Sequence, residues 1–180
     1  MLGTERGRMT PRQLYLFDSF YLVIFLIVAF FTRVTARRIA GALAGGTAFG
    51  VVALGIIALG EQVGWWHMAL TWEPCFVALM LVGFAMCAFI YLITWRIARL
   101  FGWRGLAVAT VIAAVIGPPR DRWYMARFPE WGYYGPGIAP VLAVAATYAI
   151  MVVLGHGVMR LVAGPARADR LARYPWETAE

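Results

Sequence analysis

The chain has 180 residues, 62% of them hydrophobic and 14% charged, and a formal net charge of +7. Ordinary soluble domains are about 45–50% apolar. The excess here lies in long uncharged runs, which excludes a water-soluble domain and predicts a polytopic membrane protein. Every basic residue is an arginine, in short clusters beside the apolar runs. This distribution is typical of membrane orientation and excludes nucleic acid as a partner, because no continuous basic face is present.

Five apolar runs follow one another along the chain. They cover residues 14–32, 39–60, 74–95, 104–119 and 138–162. A spanning helix needs about 20 apolar residues. Four runs satisfy this length, whereas the fourth is short and either crosses a thin region of the bilayer or is re-entrant. The prediction is an all-α bundle of five transmembrane helices in a single domain, followed by a cytoplasmic tail over residues 164–180.

The arginines give the predicted bundle an orientation. With five spans they divide ten against six between the two sides, and with four spans nine against seven. The positive-inside rule therefore favours five spans, with the N-terminus outside and the C-terminus cytoplasmic. The expected location is a bacterial cytoplasmic (inner) membrane. Arg33 directly follows the first run, which is not the pattern of a cleaved signal peptide.

The second run carries small residues at helical spacing. Gly41 and Gly45 are four residues apart, as are Gly46 and Gly50. Small residues at this spacing let membrane helices approach closely. We interpret these four glycines as helix-packing positions that make this helix the centre of the bundle. A contact face for a second copy or another subunit is the alternative.

The segment between the fourth and fifth runs, residues 117–137, mixes aromatic, charged and proline residues. This composition predicts a structured aromatic loop on the outer face. Enrichment in aromatic residues and arginine is also characteristic of protein interfaces. The predicted interaction cap consists of Trp123, Tyr124, Trp131, Tyr133, Tyr134, Arg120 and Arg122.

Five spans would place the loop at residues 61–74 beside this segment on the outer face. The weak catalytic candidates there are Glu73, Asp121, Glu130 and His67. Carboxylates next to arginines would bind a phosphate headgroup and transfer protons. A metal site formed by His67 with these carboxylates or Glu61 is disfavoured, because no recognisable ligand spacing is present. No metal is predicted, and no cofactor is firmly implied.

Two polar residues lie inside the apolar runs. His156, in the fifth run, is a weak candidate for binding a haem or pigment, although a hydrogen bond to a neighbouring helix is the favoured interpretation. Asp18, near the start of the first run, is expected to cap that helix or to reach the lipid headgroups rather than to relay protons. Cys75 and Cys87 are about 18 Å apart along one helix and cannot form a disulfide with each other.

The function predicted from these features is that of a non-catalytic integral subunit of a larger membrane complex, for example a bioenergetic one. Its partners would be other membrane subunits or a second copy, together with lipids or quinone. The alternative is a small membrane enzyme acting on a lipid-like or other hydrophobic substrate, with the outer-face carboxylates and arginines as its site.

Overall fold

The protein is a bundle of apolar helices joined at one end by a small sheet. The computed structural model describes residues 10–68 and 72–164. Its helices are α1 (Pro11–Thr32), α2 (Ala36–Val63), α3 (Pro74–Met86), α4 (Phe89–Arg127) and α5 (Ala139–Ala163). Within the described residues, four helical stretches are long and apolar enough to cross a membrane, with Pro74–Arg127 counted as one stretch. The predicted all-α class and multi-pass membrane character are confirmed at this level.

Two helix starts follow from their local sequence. Thr10 caps α1 through a reciprocal pair of hydrogen bonds with Gln13, and Pro11 occupies the first turn. Proline costs nothing at that position, because its missing N–H would have no partner there. Pro140 has the same place in α5. Asp18 therefore lies two turns inside α1, and the expectation that it caps this helix was wrong, because the helix begins before the apolar run does.

The chain doubles back within α4. Gly102 is non-helical, with φ 65° and ψ −151°, a conformation open only to glycine. A Cβ atom built on Gly105 would lie 3.3 Å from the carbonyl oxygen of Ile97. In a continuous helix these two positions would be about 12 Å apart. The parts of α4 before and after Gly102 are therefore separate helical segments that run back along each other.

The part of α4 after Gly102 is longer than the sequence predicted. The predicted fourth run ends at Pro119, whereas α4 continues through Pro118 and Pro119 to Arg127, so residues 117–127 of the predicted aromatic loop are helical. Proline removes one hydrogen bond to the preceding turn. The ring of Tyr148 in α5 packs directly against Gly117, where no side chain separates the two helices. This contact supports the helix where its own hydrogen bonds are interrupted.

The two connections at one end of the bundle pair with each other. Strand β1 (Trp66–Met68) and strand β2 (Gly132–Tyr134) are antiparallel, with Trp66 opposite Tyr134. A single 3-10 turn, Pro129–Trp131, leads into β2. We call these two strands the clasp. The two segments that were predicted to share one face are thus adjacent, although only residues 128–137 of the predicted aromatic loop lie outside α-helices.

Helix α2 packs against α5 and α3 through its glycines. A Cβ atom on Gly41 or Gly45 would meet the backbone of Met159 or Gly155 in α5. On another face, Gly46 and Gly50 lie against α3. All four glycines that the sequence singled out therefore contact neighbouring helices of the same chain.

Candidate functional site

A cavity of about 300 Å³ lies beneath the clasp, and all five helices contribute to its walls. This volume is at the lower end of the range for small-molecule sites. Most of the wall is apolar, with Phe49, Phe84, Val144 and Met151 among its residues. The polar and ionisable groups of the wall include Asp18, Tyr21, Cys87, Arg120, Asp121 and Tyr148.

Three of these groups form a connected cluster between α4 and α5. Arg120 pairs with Asp121, with its Nη2 3.1 Å from Oδ1 and its Nε donating to the same oxygen at 3.2 Å. The Tyr148 hydroxyl donates a hydrogen bond of 2.7 Å to that oxygen. The Arg120 guanidinium also lies 5.2 Å from the centre of the Tyr148 ring. One carboxylate oxygen thus accepts from two side chains, and the cluster holds both charges in a fixed place.

Asp18 lies on the wall contributed by α1. Only 9% of its surface is exposed, and its Oδ2 atom is buried without a hydrogen-bond partner among the described residues. Its other carboxylate oxygen lies against Gly83 of α3, where a Cβ atom would come within 2.6 Å. Buried polar atoms in proteins are nearly always hydrogen-bonded. Asp18, Cys87 and Arg120 all line this cavity, so the two charged groups border a common space.

Aromatic rings cover the cavity next to the clasp. The Trp131 ring stacks on Phe128 with 4.6 Å between centres and meets Phe17 of α1 edge-on at 5.2 Å. The indole nitrogen of Trp131 is buried and, within the described ranges, has no acceptor. Trp66 is also buried, and its indole N–H donates to the Ile57 carbonyl at 3.1 Å. These contacts make the clasp a fixed cover rather than a loose loop.

The predicted interaction cap divides into inward and outward residues. Tyr124, Trp131 and Tyr134 line the cavity. Burial raises the pKa of Tyr134 above its usual range, so its phenol stays protonated and is able to donate a hydrogen bond. Trp123 and Tyr133 are 61% and 53% exposed. Arg122 is also exposed, and Arg120 belongs to the cavity cluster although its side chain is 45% exposed.

The predicted catalytic candidates are not brought together. Asp121 lines the cavity, whereas Glu73 and His67 are exposed. Glu130 accepts a hydrogen bond of 3.4 Å from Gln13, which ties the 3-10 turn to α1. Glu61 accepts one of 3.0 Å from the Met68 backbone and so holds β1. Among the described residues, no three His, Cys, Asp or Glu side chains are grouped to hold a metal ion.

His156 lies away from the cavity, between α5 and the first part of α4. It is 2% exposed, and its Nδ1 is 3.2 Å from the hydroxyl oxygen of Thr94. Thr94 in turn donates to the Tyr91 carbonyl. The geometry is that of a polar link between packed helices. The walls of the cavity do not include this histidine.

Sequence reasoning did not assign Tyr21, Cys87 or Tyr148 to a site. One signal was available, because Tyr21 follows Asp18 at a spacing of three, which puts both on one helix face. Nothing in the local sequence distinguishes Cys87 or Tyr148 from other residues of apolar helices. No protein-family model, curated protein or solved structure matches the chain.

Proposed function

We propose that this protein binds a lipid-like molecule in the cavity beneath the clasp. The observation that carries the proposal is a mostly apolar cavity that also presents the Arg120–Asp121–Tyr148 cluster and an oxygen of Asp18 that is buried without a partner among the described residues. Apolar walls favour a hydrophobic body, and a few fixed polar groups orient a ligand. A structural core would fill this volume with side chains, because residual cavities cost stability.

The proposed topology has five spans, with the clasp outside and the C-terminus cytoplasmic. The reversal at Gly102 supports it, because the segment from Trp103 to Arg127 is about 37 Å long and the hydrocarbon core about 30 Å thick. Seven of the described arginines lie near the turns opposite the clasp, whereas four lie at the clasp end, namely Arg12, Arg120, Arg122 and Arg127. This asymmetry agrees with the positive-inside rule. A cytoplasmic signal from a reporter fused near Trp131 would contradict this orientation.

Filling the cavity tests the binding proposal. Ile56 lines the cavity on α2, and Leu59 on the same helix is 52% exposed. The variants Ile56→Trp and Leu59→Trp add similar volume inside and outside the cavity. Each protein would be purified in mild detergent, checked for monodispersity and helicity, and extracted for mass spectrometry of its bound molecules. We expect a species that is present in wild type and Leu59→Trp but depleted at least tenfold in Ile56→Trp. Equal content in all three folded proteins would rule out the cavity as a binding site.

A role as subunit of a larger membrane complex remains a second proposal. Its support is the exposure of Trp123 and Tyr133 beside the clasp, because exposed aromatic residues are common anchors at protein interfaces. The double variant Trp123→Ala/Tyr133→Ala should then lose partners that co-purify with wild type in mild detergent. Recovery of the wild type as a solitary monomer would end this proposal and leave cavity binding intact.

If the protein is an enzyme instead, its active site would be the cavity, because Asp121 is the one predicted catalytic candidate that lines it. Of the candidate carboxylates, Asp121 is held by Arg120 and Tyr148, which suits positioning and charge stabilisation better than proton transfer. The structure therefore favours binding over catalysis as the proposal for this site.

A further inference from the structure

Two residues that line the cavity have hydrogen-bonding atoms without a partner among the described residues. Asp18 Oδ2 is an acceptor and Trp131 Nε1 a donor, and each is buried without a partner in the described part of the chain. Both residues line the same cavity. Leaving such a group unsatisfied costs much more than the net gain from an ordinary hydrogen bond. A ligand that provides a donor for Asp18 would therefore be strongly preferred over one that does not.

The charged side chains of the cavity wall also limit which head group a ligand can carry. The carboxylate of Asp121 is paired with Arg120, and no described cation is paired with Asp18. A phosphate or carboxylate head would therefore meet an uncompensated negative charge across a cavity of low polarity, where charge repulsion is strong. A neutral group that donates a hydrogen bond fits without this repulsion.

Resting on the proposed binding function, we propose that the ligand is a neutral hydrophobic molecule whose hydroxyl group donates a hydrogen bond to Asp18. A hydroxyl oxygen also accepts hydrogen bonds, so Trp131 Nε1 or the Tyr134 phenol is able to complete its coordination. Long-chain alcohols and quinols share this chemistry. Each has an apolar body that would contact the apolar walls and a hydroxyl group that would contact Asp18.

Paired probes, of which one member has a hydroxyl donor and the other lacks it, test the proposal. Farnesol and its methyl ether would be titrated into the full-length protein in lipid nanodiscs, with tryptophan fluorescence as the signal, since Trp66 and Trp131 line the cavity. A decylbenzoquinol and its quinone would form a second pair under anaerobic conditions. We expect the hydroxyl member of at least one pair to bind about 10- to 100-fold more tightly, as is usual for a hydrogen bond to a charged group. The pair whose members differ in affinity shows whether the bound molecule is a long-chain alcohol or a quinol.

Variants of α1 and α3 assign the difference to Asp18. Asp18→Leu should reduce the affinity ratio within each responding pair to about one. Gly83→Ala keeps the carboxylate but displaces it, because the new methyl group would meet Oδ1, and should give an intermediate ratio. Ser19→Ala, at an exposed position on the same helix, should keep the wild-type ratio and serves as the folding control.

Each contrary result has a distinct meaning. Equal affinity within both pairs, tighter binding of farnesyl phosphate than of farnesol, or an unchanged ratio in folded Asp18→Leu would overturn the hydroxyl proposal and leave lipid binding standing. The same holds if none of the probes binds while Ile56→Trp still depletes a co-purified species. If Ile56→Trp depletes nothing and no probe binds, the proposed function itself fails.

Discussion

Helix α2 meets α5 in two different ways along its length. Near its start, Gly41 and Gly45 bring its backbone against Met159 and Gly155 of α5. Further along, Ala53 and Ile57 of α2 and Val144 of α5 border the cavity instead. The same pair of helices is thus closely packed at one end and open at the other.

The polar groups follow the same division. At the packed end, Thr94 and His156 are hydrogen-bonded between helices. At the open end, Asp18 Oδ2 and Trp131 Nε1 have no partner within the described residues. Membrane helices gain little from hydrophobic burial and depend on close packing and interhelical hydrogen bonds. The packed end is therefore suited to hold the bundle together, and the open end is suited to bind.

The largest expected effect comes from removing the close contact. In Gly45→Val, the new side chain would overlap the Gly155 backbone, which cannot move aside as a side chain does. We expect a loss of about 3 kcal/mol in the free energy of unfolding, measured by denaturant titration in micelles. Gly55→Val is the matched control, because no atom lies within 4 Å of its Cβ position. Similar losses in both variants would show that the contact contributes nothing beyond helix propensity.

Breaking the cluster at the open end should have the next largest effect. Tyr148→Phe removes the hydroxyl that donates to Asp121 at 2.7 Å. Hydrogen bonds to charged groups are worth about 1.5–3 kcal/mol, so we expect a loss of about 2 kcal/mol in stability. The content of co-purified molecule, measured by mass spectrometry, should also fall. Tyr15→Phe, at a site 57% exposed, should match wild type in both measurements. A full content of bound molecule in Tyr148→Phe would mean that the cluster does not orient the ligand.

A smaller effect is expected where α2 supports the clasp. A methyl group on Gly60 would overlap the indole of Trp66, which is held by its hydrogen bond to Ile57. Gly60→Ala should cost about 1 kcal/mol and increase amide hydrogen exchange at residues 66–68. Gly55→Ala should instead be neutral or slightly stabilising, because alanine favours helix. Unchanged exchange in Gly60→Ala would show that the clasp does not depend on this contact.

The smallest effects are expected for the exposed candidates outside the cavity. Glu73→Ala and His67→Ala should each change the free energy of unfolding by less than about 0.5 kcal/mol. Neither should alter the amount of co-purified molecule. Loss of that molecule in either variant would indicate that the binding site lies on the outer face, as the sequence predicted, and not in the cavity.

Sequence reasoning located the apolar runs because composition and length determine them. The predicted runs at residues 14–32 and 39–60 fall inside observed helices, and the run at residues 138–162 begins one residue before α5. It assigned residues 117–127 to the aromatic loop, because the uncharged run ends at Pro119 and a mixture of charged and aromatic residues follows. Tyr148, which packs against Gly117, belongs to another helix. A local sequence pattern does not predict such a contact.

The cavity was beyond sequence reasoning for the same physical reason. Asp18 and Arg120 belong to helices far apart in the chain and share a space only after the bundle forms. The sequence did mark Asp18 as an ionisable residue in an apolar run, and such residues are functional candidates by default. Asp18 does not cap α1, because the helix begins at Pro11, ahead of the apolar run. Its cap is Thr10, which is paired with Gln13.

Gly102 has a consequence for how the protein enters a membrane. It turns the chain with a single residue between Phe101 and Trp103, so no polar loop separates the two segments of α4. With five spans, these segments would leave the translocation machinery as a preformed helical hairpin and partition into lipid together. Their backbone polar groups would already be satisfied. The fourth span, which is the shortest predicted run, would thus depend on the third span for insertion. A peptide inserted at Gly102 should therefore impair membrane integration more than a peptide inserted in another connection.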